Sequence, residues 1–488
     1  MRAVPHPAGH GLRAIAVVSC TVLLAGVSAG AAAAGPVTRG NSGPAVPGGQ
    51  LWVSRYNGPA SGGEPATDAA ISVAVSPGGS AVFVTGISVG SGGSDYATVG
   101  YDTATGAQLW ASRYSGPGNG ESKARQVTVS PDGATVFVTG GSTGATSGED
   151  YATVAYDAAT GAQLWASRYN GSGNTSDEAL SLAVSPDGAT VFVTGASAGA
   201  TSGPDYATVA YNAATGARRW VRRYNGPKNG RDVAFAVAAG PGGRSVFVTG
   251  FSTGATSGQD YATIAYNAAT GARRWVRRYN GPANRLDIAN AVTVSPGGRS
   301  VFVTGFSAGA TSGTDYATVA YNAATGARRW VSRYNGPANR SDVAFAVAAG
   351  PGGRSVFVTG TSAGAASGWD YATIAYSAAT GARRWVRRYN AANRLDIARA
   401  VAVSWDGATV FVTGASDGVT SGQDYATVAY DAATGARLWA SRYNGPGNEG
   451  DHATSLAVGP AGDTVYVTGD SSGGAGTGPD YATVAYRG

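Results

Sequence analysis

Two sets of aspartates recur along this 488-residue chain at a nearly constant interval. Asp68, Asp177, Asp232, Asp287, Asp342, Asp396 and Asp451 each precede a short run of small apolar residues, with Ser122 in the second copy. Asp95, Asp150, Asp205, Asp260, Asp315, Asp370, Asp424 and Asp480 each precede a Tyr-Ala-Thr segment. A ring of such carboxylates could attract or hold cations. The same residues could instead cap turns by accepting hydrogen bonds from backbone N–H groups. A residue present in every copy is most simply explained by a task every copy shares, which is folding. A single site should lie where the copies differ.

The chemistry left open by composition is narrow. The one cysteine, Cys20, and two of the three histidines lie near the start of the chain, so only His452 lies beyond them. A cysteine or histidine zinc site and a Ser-His-Asp triad therefore lack their parts. Residue by residue, the copies differ at Trp369, where others carry Ser, Glu, Pro, Gln or Thr, and at His452. They also differ at one position that holds Arg125, Asn290, Arg399 and Thr454 in some copies and Ile, Leu or Phe in the rest. These residues, with Asp177, Asp232, Asp287, Asp342, Asp396 and Asp451, are the candidate ligand contacts. No residue is put forward as catalytic.

Lys123 and Lys228 are the only lysines, so the formal charge of +6 is carried almost wholly by arginine. Arginines cluster in four consecutive copies. Arg218, Arg222, Arg273, Arg277, Arg383 and Arg387 belong to those clusters and form a candidate surface for an acidic wall polymer or another anionic partner. Charge runs of this kind also serve simply as solvated faces. Glycine-rich stretches here run from strand to strand with no following helix, so a phosphate cradle is unsupported.

The elements that must position these residues come from the repeat. Val-Thr-Gly triplets end at Gly86, Gly140, Gly195, Gly250, Gly305, Gly360, Gly414 and Gly469, a spacing of 54 or 55. Each unit holds four runs of strand length and β-branched or aromatic composition, separated by Gly, Pro, Asn and Asp clusters. The 76 glycines thus mark turns rather than disorder. Eight units of four antiparallel strands predict an all-β, eight-bladed β-propeller over residues 50–488. The chain opens on a lone fourth strand, Leu51 to Tyr56, and ends on a lone third strand, Tyr481 to Tyr486. Paired, they complete one blade and close the ring.

Residues 1–34 read as a secretory signal, with Arg2 and Arg13 ahead of an apolar run from Ala14 to Val27. Residues 35–49 read as a Pro/Gly-rich linker. No later apolar stretch is long enough to span a bilayer as a helix. An exported chain makes nucleic acid an improbable partner.

The stretch Ala155-Tyr-Asp-Ala-Ala-Thr-Gly-Ala-Gln-Leu-Trp165, repeated from Ala429 to Trp439, resembles the tryptophan-docking motif of eight-bladed PQQ-like quinoprotein propellers. The unit as a whole resembles the SBBP-type repeat of secreted bacterial β-propeller proteins. The resemblance implies indoles that pack between neighbouring blades. It also raises PQQ and calcium as cofactors. Quinoprotein dehydrogenases carry long insertions, a calcium site and usually an adjacent cysteine pair, and this chain has uniform repeats without that pair. The expectation is therefore a secreted or cell-surface, monomeric, non-enzymatic binding scaffold without a cofactor. Its ligand face is on the long-loop side, and its partner is a cell-wall glycan or another surface protein. A PQQ-dependent dehydrogenase is the alternative, and a glycan- or lactone-acting hydrolase a third reading. If the ring closes as described, deleting residues 50–56 leaves the last strand unpaired. A thermal melt should then show a large loss of stability with aggregation.

Overall fold

In the computed structural model of the chain, residues 46–59, 67–90, 93–118, 120–392, 394–474 and 478–488 are described. The expected signal segment, 1–34, and most of the linker lie outside the described residues. Blade 3 shows why the repeat folds as it does. Its strands are Asp177–Val184, Thr190–Ala198, Pro204–Asn212 and Arg218–Tyr224. The first turn brings Gly188 to a φ of 70°. At the second turn the Asn212 Oδ1 accepts from the N–H groups of Ala214 and Thr215 at 3.0 and 3.1 Å, and Gly216 takes a φ of 70°. Both glycines sit where a side chain would be strained.

The glycine of each Val-Thr-Gly triplet has a different reason. The first strand bulges opposite it, between Ala179 and Ser181 in blade 3. A Cβ on Gly195 would lie 1.9 Å from the Glu178 carbonyl oxygen. The repeat's most constant triplet is therefore a backbone close approach.

The described residues form eight four-stranded antiparallel sheets, as the repeat count predicts. Blades 1 to 7 occupy residues 68–114, 122–169, 177–224, 232–279, 287–334, 342–389 and 396–443. Blade 8 takes three strands from 451–487 and its outer strand from Gln50–Tyr56, which pairs antiparallel with Pro479–Arg487. In each blade the strand order follows the chain. The first strands contact one another around the ring, so they are innermost and the fourth strands lie at the rim. No helix of the described residues is long and apolar enough to cross a membrane.

Blades are tied by a Trp–Tyr contact that repeats at all eight interfaces. Trp220 of blade 3 packs at a tilt against Phe192 of its own blade and Tyr266 of the next, at 5.9 and 6.1 Å between ring centroids. Its Nε1 donates to the Ala268 carbonyl at 3.0 Å, and its ring covers Gly271 of the blade 4 turn. Trp110, Trp165, Trp275, Trp330 and Trp385 repeat the bond at 2.9 to 3.1 Å. Deeper in, the Tyr206 hydroxyl donates to the Ala262 carbonyl of blade 4 at 3.0 Å. At the closing blade, Gly48 stands in for the turn glycine beneath Trp439, and Ser441 Oγ donates to the Gly48 carbonyl at 2.5 Å. Replacing Trp220 with alanine should therefore cost about 3–5 kcal/mol of stability, measured by denaturant unfolding.

Candidate functional site

Both aspartate sets lie on the side of the ring that carries the longer loops, and the structure shows what each carboxylate touches. Asp177, Asp232, Asp287, Asp342, Asp396 and Asp451 are fully buried. Their Oδ2 atoms accept from the N–H of Gly171, Gly226, Gly281, Gly336, Ala391 and Gly445, respectively. In three blades Oδ1 also accepts from the second strand, as from Ala198 to Asp177 at 2.9 Å. Each carboxylate thus pins the loop entering its blade. Burial pushes these carboxyls above the usual range, and furthest at Asp396, to about 6. The loop before Asp396 is one residue shorter, and its bond from Ala391 is long at 3.4 Å.

The second set pairs with an arginine that sequence reasoning missed as a unit. Arg278 donates from Nη2 to Asp260 at 2.8 Å and to the Ser252 carbonyl at 2.7 Å. Its Nη1 reaches the Ser252 hydroxyl at 2.6 Å and the Tyr224 hydroxyl of blade 3 at 3.3 Å. Arg55, Arg113, Arg168, Arg223, Arg333, Arg388 and Arg442 make the matching ion pair in the other blades, at 2.7 to 3.0 Å except Arg388 at 2.6 Å. The available signal was an Arg-Tyr dipeptide ending every fourth strand.

The candidate surface arginines part into two groups. Arg222, Arg277 and Arg387 donate from Nε to the carbonyls of Gly271, Gly326 and Gly435 in the next blade, at 2.9, 2.8 and 2.7 Å. Serine does the same elsewhere, as from Ser167 to Gly216 at 2.7 Å. Arg218, Arg273 and Arg383 lie at the turn-side end of their strands and are exposed.

The position that varies between blades is on the innermost strand. Arg125 Nη2 meets Glu178 of blade 3 at 2.5 Å. Asn290 is buried and donates to the Ala344 carbonyl of blade 6 at 2.8 Å. Arg399 of blade 7 sits 4.9 Å over the Phe345 ring of blade 6. Burial lowers its guanidinium from the ordinary value. Thr454 Oγ1 donates to the Ala70 carbonyl of blade 1 at 2.9 Å. His452 Nδ1 lies 2.8 Å from Asp470, and that carboxylate holds the imidazole above its ordinary value, with burial opposing. Trp369 is half-buried at the start of its strand, and its N–H donates to the Arg394 carbonyl at 2.9 Å.

Glu149 was not singled out by the sequence. It fills the space above Gly141, where other blades carry a larger residue. Burial, reinforced by the Glu178 carboxylate, raises it to about 7. A calcium-bound quinone needs several oxygens converging on one point. Among the described residues no three His, Cys, Asp or Glu side chains converge in that way. The first-set aspartates are turned to backbone donors, so the described residues do not supply that donor set.

The tandem repeat matches the PQQ_2 family, described as outer membrane protein assembly factor BamB, over residues 44–350 and 264–475. The chain belongs to this family. Among curated proteins, no sequence matches it. Among solved structures it is similar to Sqt1 from Chaetomium thermophilum bound to the N-terminus of the ribosomal protein L10. That likeness has 13% identity, covers 89% of this chain and 100% of that one, and has a TM-score of 0.58. It is also similar to the quinohemoprotein alcohol dehydrogenase ADHIIG from Pseudomonas putida HK5, at 15% identity, 90% and 76% coverage and a TM-score of 0.52. At these identities the likeness is one of fold.

Glu149 offers a direct check on the geometry. Its folded-state value lies above the unfolded value of about 4.3, so the folded state holds the proton more tightly. Its stabilising contribution is present below about pH 4 and is lost as pH rises toward 7. Glu149→Gln should gain stability relative to the parent across that window, read from thermal melts at pH 4 to 8.

Proposed function

We propose that this chain is an exported, non-enzymatic binding scaffold that seats its ligand at the long-loop mouth of the ring axis. The observation that carries this reading is the break in eightfold sameness on the innermost strands. Arg125 with Glu178, Arg399 on Phe345, and His452 with Asp470 stand around that axis at positions where most other copies carry apolar residues. Most recurring polar side chains nearby are committed to holding blades together, and these are the ones that differ. Planar cations, aromatic rings and loops rich in Ser, Thr and Gly are the groups that recognise a glycan or a protein segment. The family description, an assembly factor, favours a protein partner. The N-terminal apolar segment favours export to the cell surface.

An array of wall glycans and surface proteins should yield a ligand whose affinity falls about tenfold or more in an Arg125→Gln, Arg399→Gln variant, a loss of at least about 1.4 kcal/mol. Unchanged affinity would move the site elsewhere, with Trp369 next. Adding PQQ and Ca²⁺ to the purified protein should give no quinone absorbance and no dye reduction. A positive result would replace this reading with a dehydrogenase.

A second reading draws on Glu149. A carboxyl that holds its proton near neutrality beside the Glu178 carboxylate is the arrangement of an acid–base pair. Turnover of a glycan or lactone, abolished in Glu149→Gln with the fold intact, would establish a hydrolase.

A further inference from the structure

The face opposite the long loops carries a charge division that the repeat does not require. That face is built from two turns per blade, one before the second strand and one before the fourth. In blade 4 it presents Arg244 from the first turn and Arg273 and Arg274 from the start of the outer strand, all exposed. Arg274 Nη2 donates to the Arg244 carbonyl at 3.1 Å, which places the two on one surface. Blade 5 repeats this with Arg299, Arg328 and Arg329, and blade 6 with Arg354, Arg383 and Arg384. The matching bonds join Arg329 to Arg299 at 3.4 Å and Arg384 to Arg354 at 3.2 Å. The turns of these three blades contain no Asp or Glu.

The same turns elsewhere carry mostly aspartate, with Arg437 of blade 7 and Arg487 of blade 8 the arginines among them. Asp102, Asp132, Asp157, Asp406, Asp431 and Asp463 occupy them in blades 7, 8, 1 and 2. The outer strands divide in step. The place of Arg274 holds Leu438, Leu51, Leu109 and Leu164 in those four blades, each 43–53% exposed. Blade 3 is the border, with Arg218 and Arg219 beside Asp187.

Folding does not use this arrangement. The bond that ties each outer strand to the next turn is made by Arg222, Arg277 and Arg387 or by serine, at the fifth residue of the strand. The turn aspartates cap their own backbones, as Asp157 accepts from Thr160 N at 2.9 Å, and Asn212 does that task equally well. Clustered guanidiniums without local carboxylates make a field several kT deep that recruits anions. Each is a planar fork suited to carboxylate or phosphate oxygens.

We infer that the turn face of blades 4 to 6 is a docking surface for an extended acidic polysaccharide, bound through its carboxylates. Three features favour that occupant. The arginines run over three consecutive blades, so an extended polymer can collect many weak contacts where a small anion would collect one. They run from the turns onto the outermost strands at the rim, a path that a flexible chain can follow. The sector also lacks the apolar side chains that anchor proteins in membranes. Leu51, Leu109, Leu164, Leu438 and Trp405, 39% exposed, stand in the other half, and the exposed Leu286 of blade 5 lies on the long-loop side. This surface lies on the opposite side from the axis mouth, so it stands or falls independently of the ligand proposed there.

The test uses the whole protein and polygalacturonate. At low salt the parent should bind the immobilised polymer, with affinity falling about tenfold or more as salt rises, because screening shortens the reach of surface charges to about 8 Å at physiological ionic strength. Replacing Arg244, Arg274, Arg299, Arg329, Arg354 and Arg384 with Gln should remove binding while thermal melts stay close to the parent. A milder variant, Arg299→Gln with Arg329→Gln, should weaken binding and flatten its salt dependence. Neutralising Asp102, Asp132 and Asp431 should leave binding unchanged or tighten it. Absence of binding at low salt, or binding that survives the six substitutions, would overturn the proposal. So would equal, arginine-dependent binding to phosphatidylglycerol vesicles, which would make the partner a membrane. Salt-sensitive self-association lost in the same variants would also overturn it, because the basic half would then pair with the acidic half of a second copy.

Discussion

The ring depends on one contact made again and again: an indole laid on the turn glycine of the next blade. Trp220 is representative. It reaches Tyr266 and Gly271 of the following blade and bonds the Ala268 carbonyl. A blade cannot bury its faces alone, because its strands are small and apolar on both sides. The indole supplies the large apolar area that alanine and glycine do not. The turn must present glycine there, since a Cβ on Gly271 would lie 2.7 Å from the ring. Once that pair is set, the neighbouring hydroxyl or guanidinium and the deeper tyrosine bonds fall into register.

A ring held this way makes the long-loop side stiff. Arginine, aspartate, serine and tyrosine form one ion-paired and hydrogen-bonded cluster per interface. With their partial burial, removing one partner would leave the other charge uncompensated. The buried aspartate beneath seven of the loops, and Ser122 beneath the eighth, add a second pin. The consequence for function is a rigid rim of loops around an axis whose lining is free to vary. Residues at the varying position make their contacts across blade boundaries, so substitution there alters the mouth without disturbing the sheets.

The turn side is organised differently. Its polar groups act locally, each capping its own turn, and the inter-blade bonds use backbone carbonyls as acceptors. Side-chain charge on this side is therefore nearly independent of stability. That independence lets blades 4 to 6 carry arginine where others carry aspartate or leucine.

Much of this was legible without a structure. A period of 54 or 55, four strand-like runs per unit and a split blade at the ends determined the number of blades, the strand order and the closure. These follow from local pattern, since strand period and turn residues are written into neighbouring positions. The docking tryptophans were also visible, because their motif is contiguous. What the tertiary structure decided was which polar residues are spoken for. Arg222 and Arg218 look alike in sequence, yet one reaches the Gly271 carbonyl of the next blade and the other is exposed. Asp177 looks like a mouth carboxylate, yet it is buried against Gly171 and Ala198. Glu149 looks ordinary until Gly141 leaves it a half-buried space near Glu178. Such contacts join residues from 6 to 49 positions apart, and the partner is chosen by packing across a sheet, a loop or a blade boundary rather than by one fixed spacing along the chain.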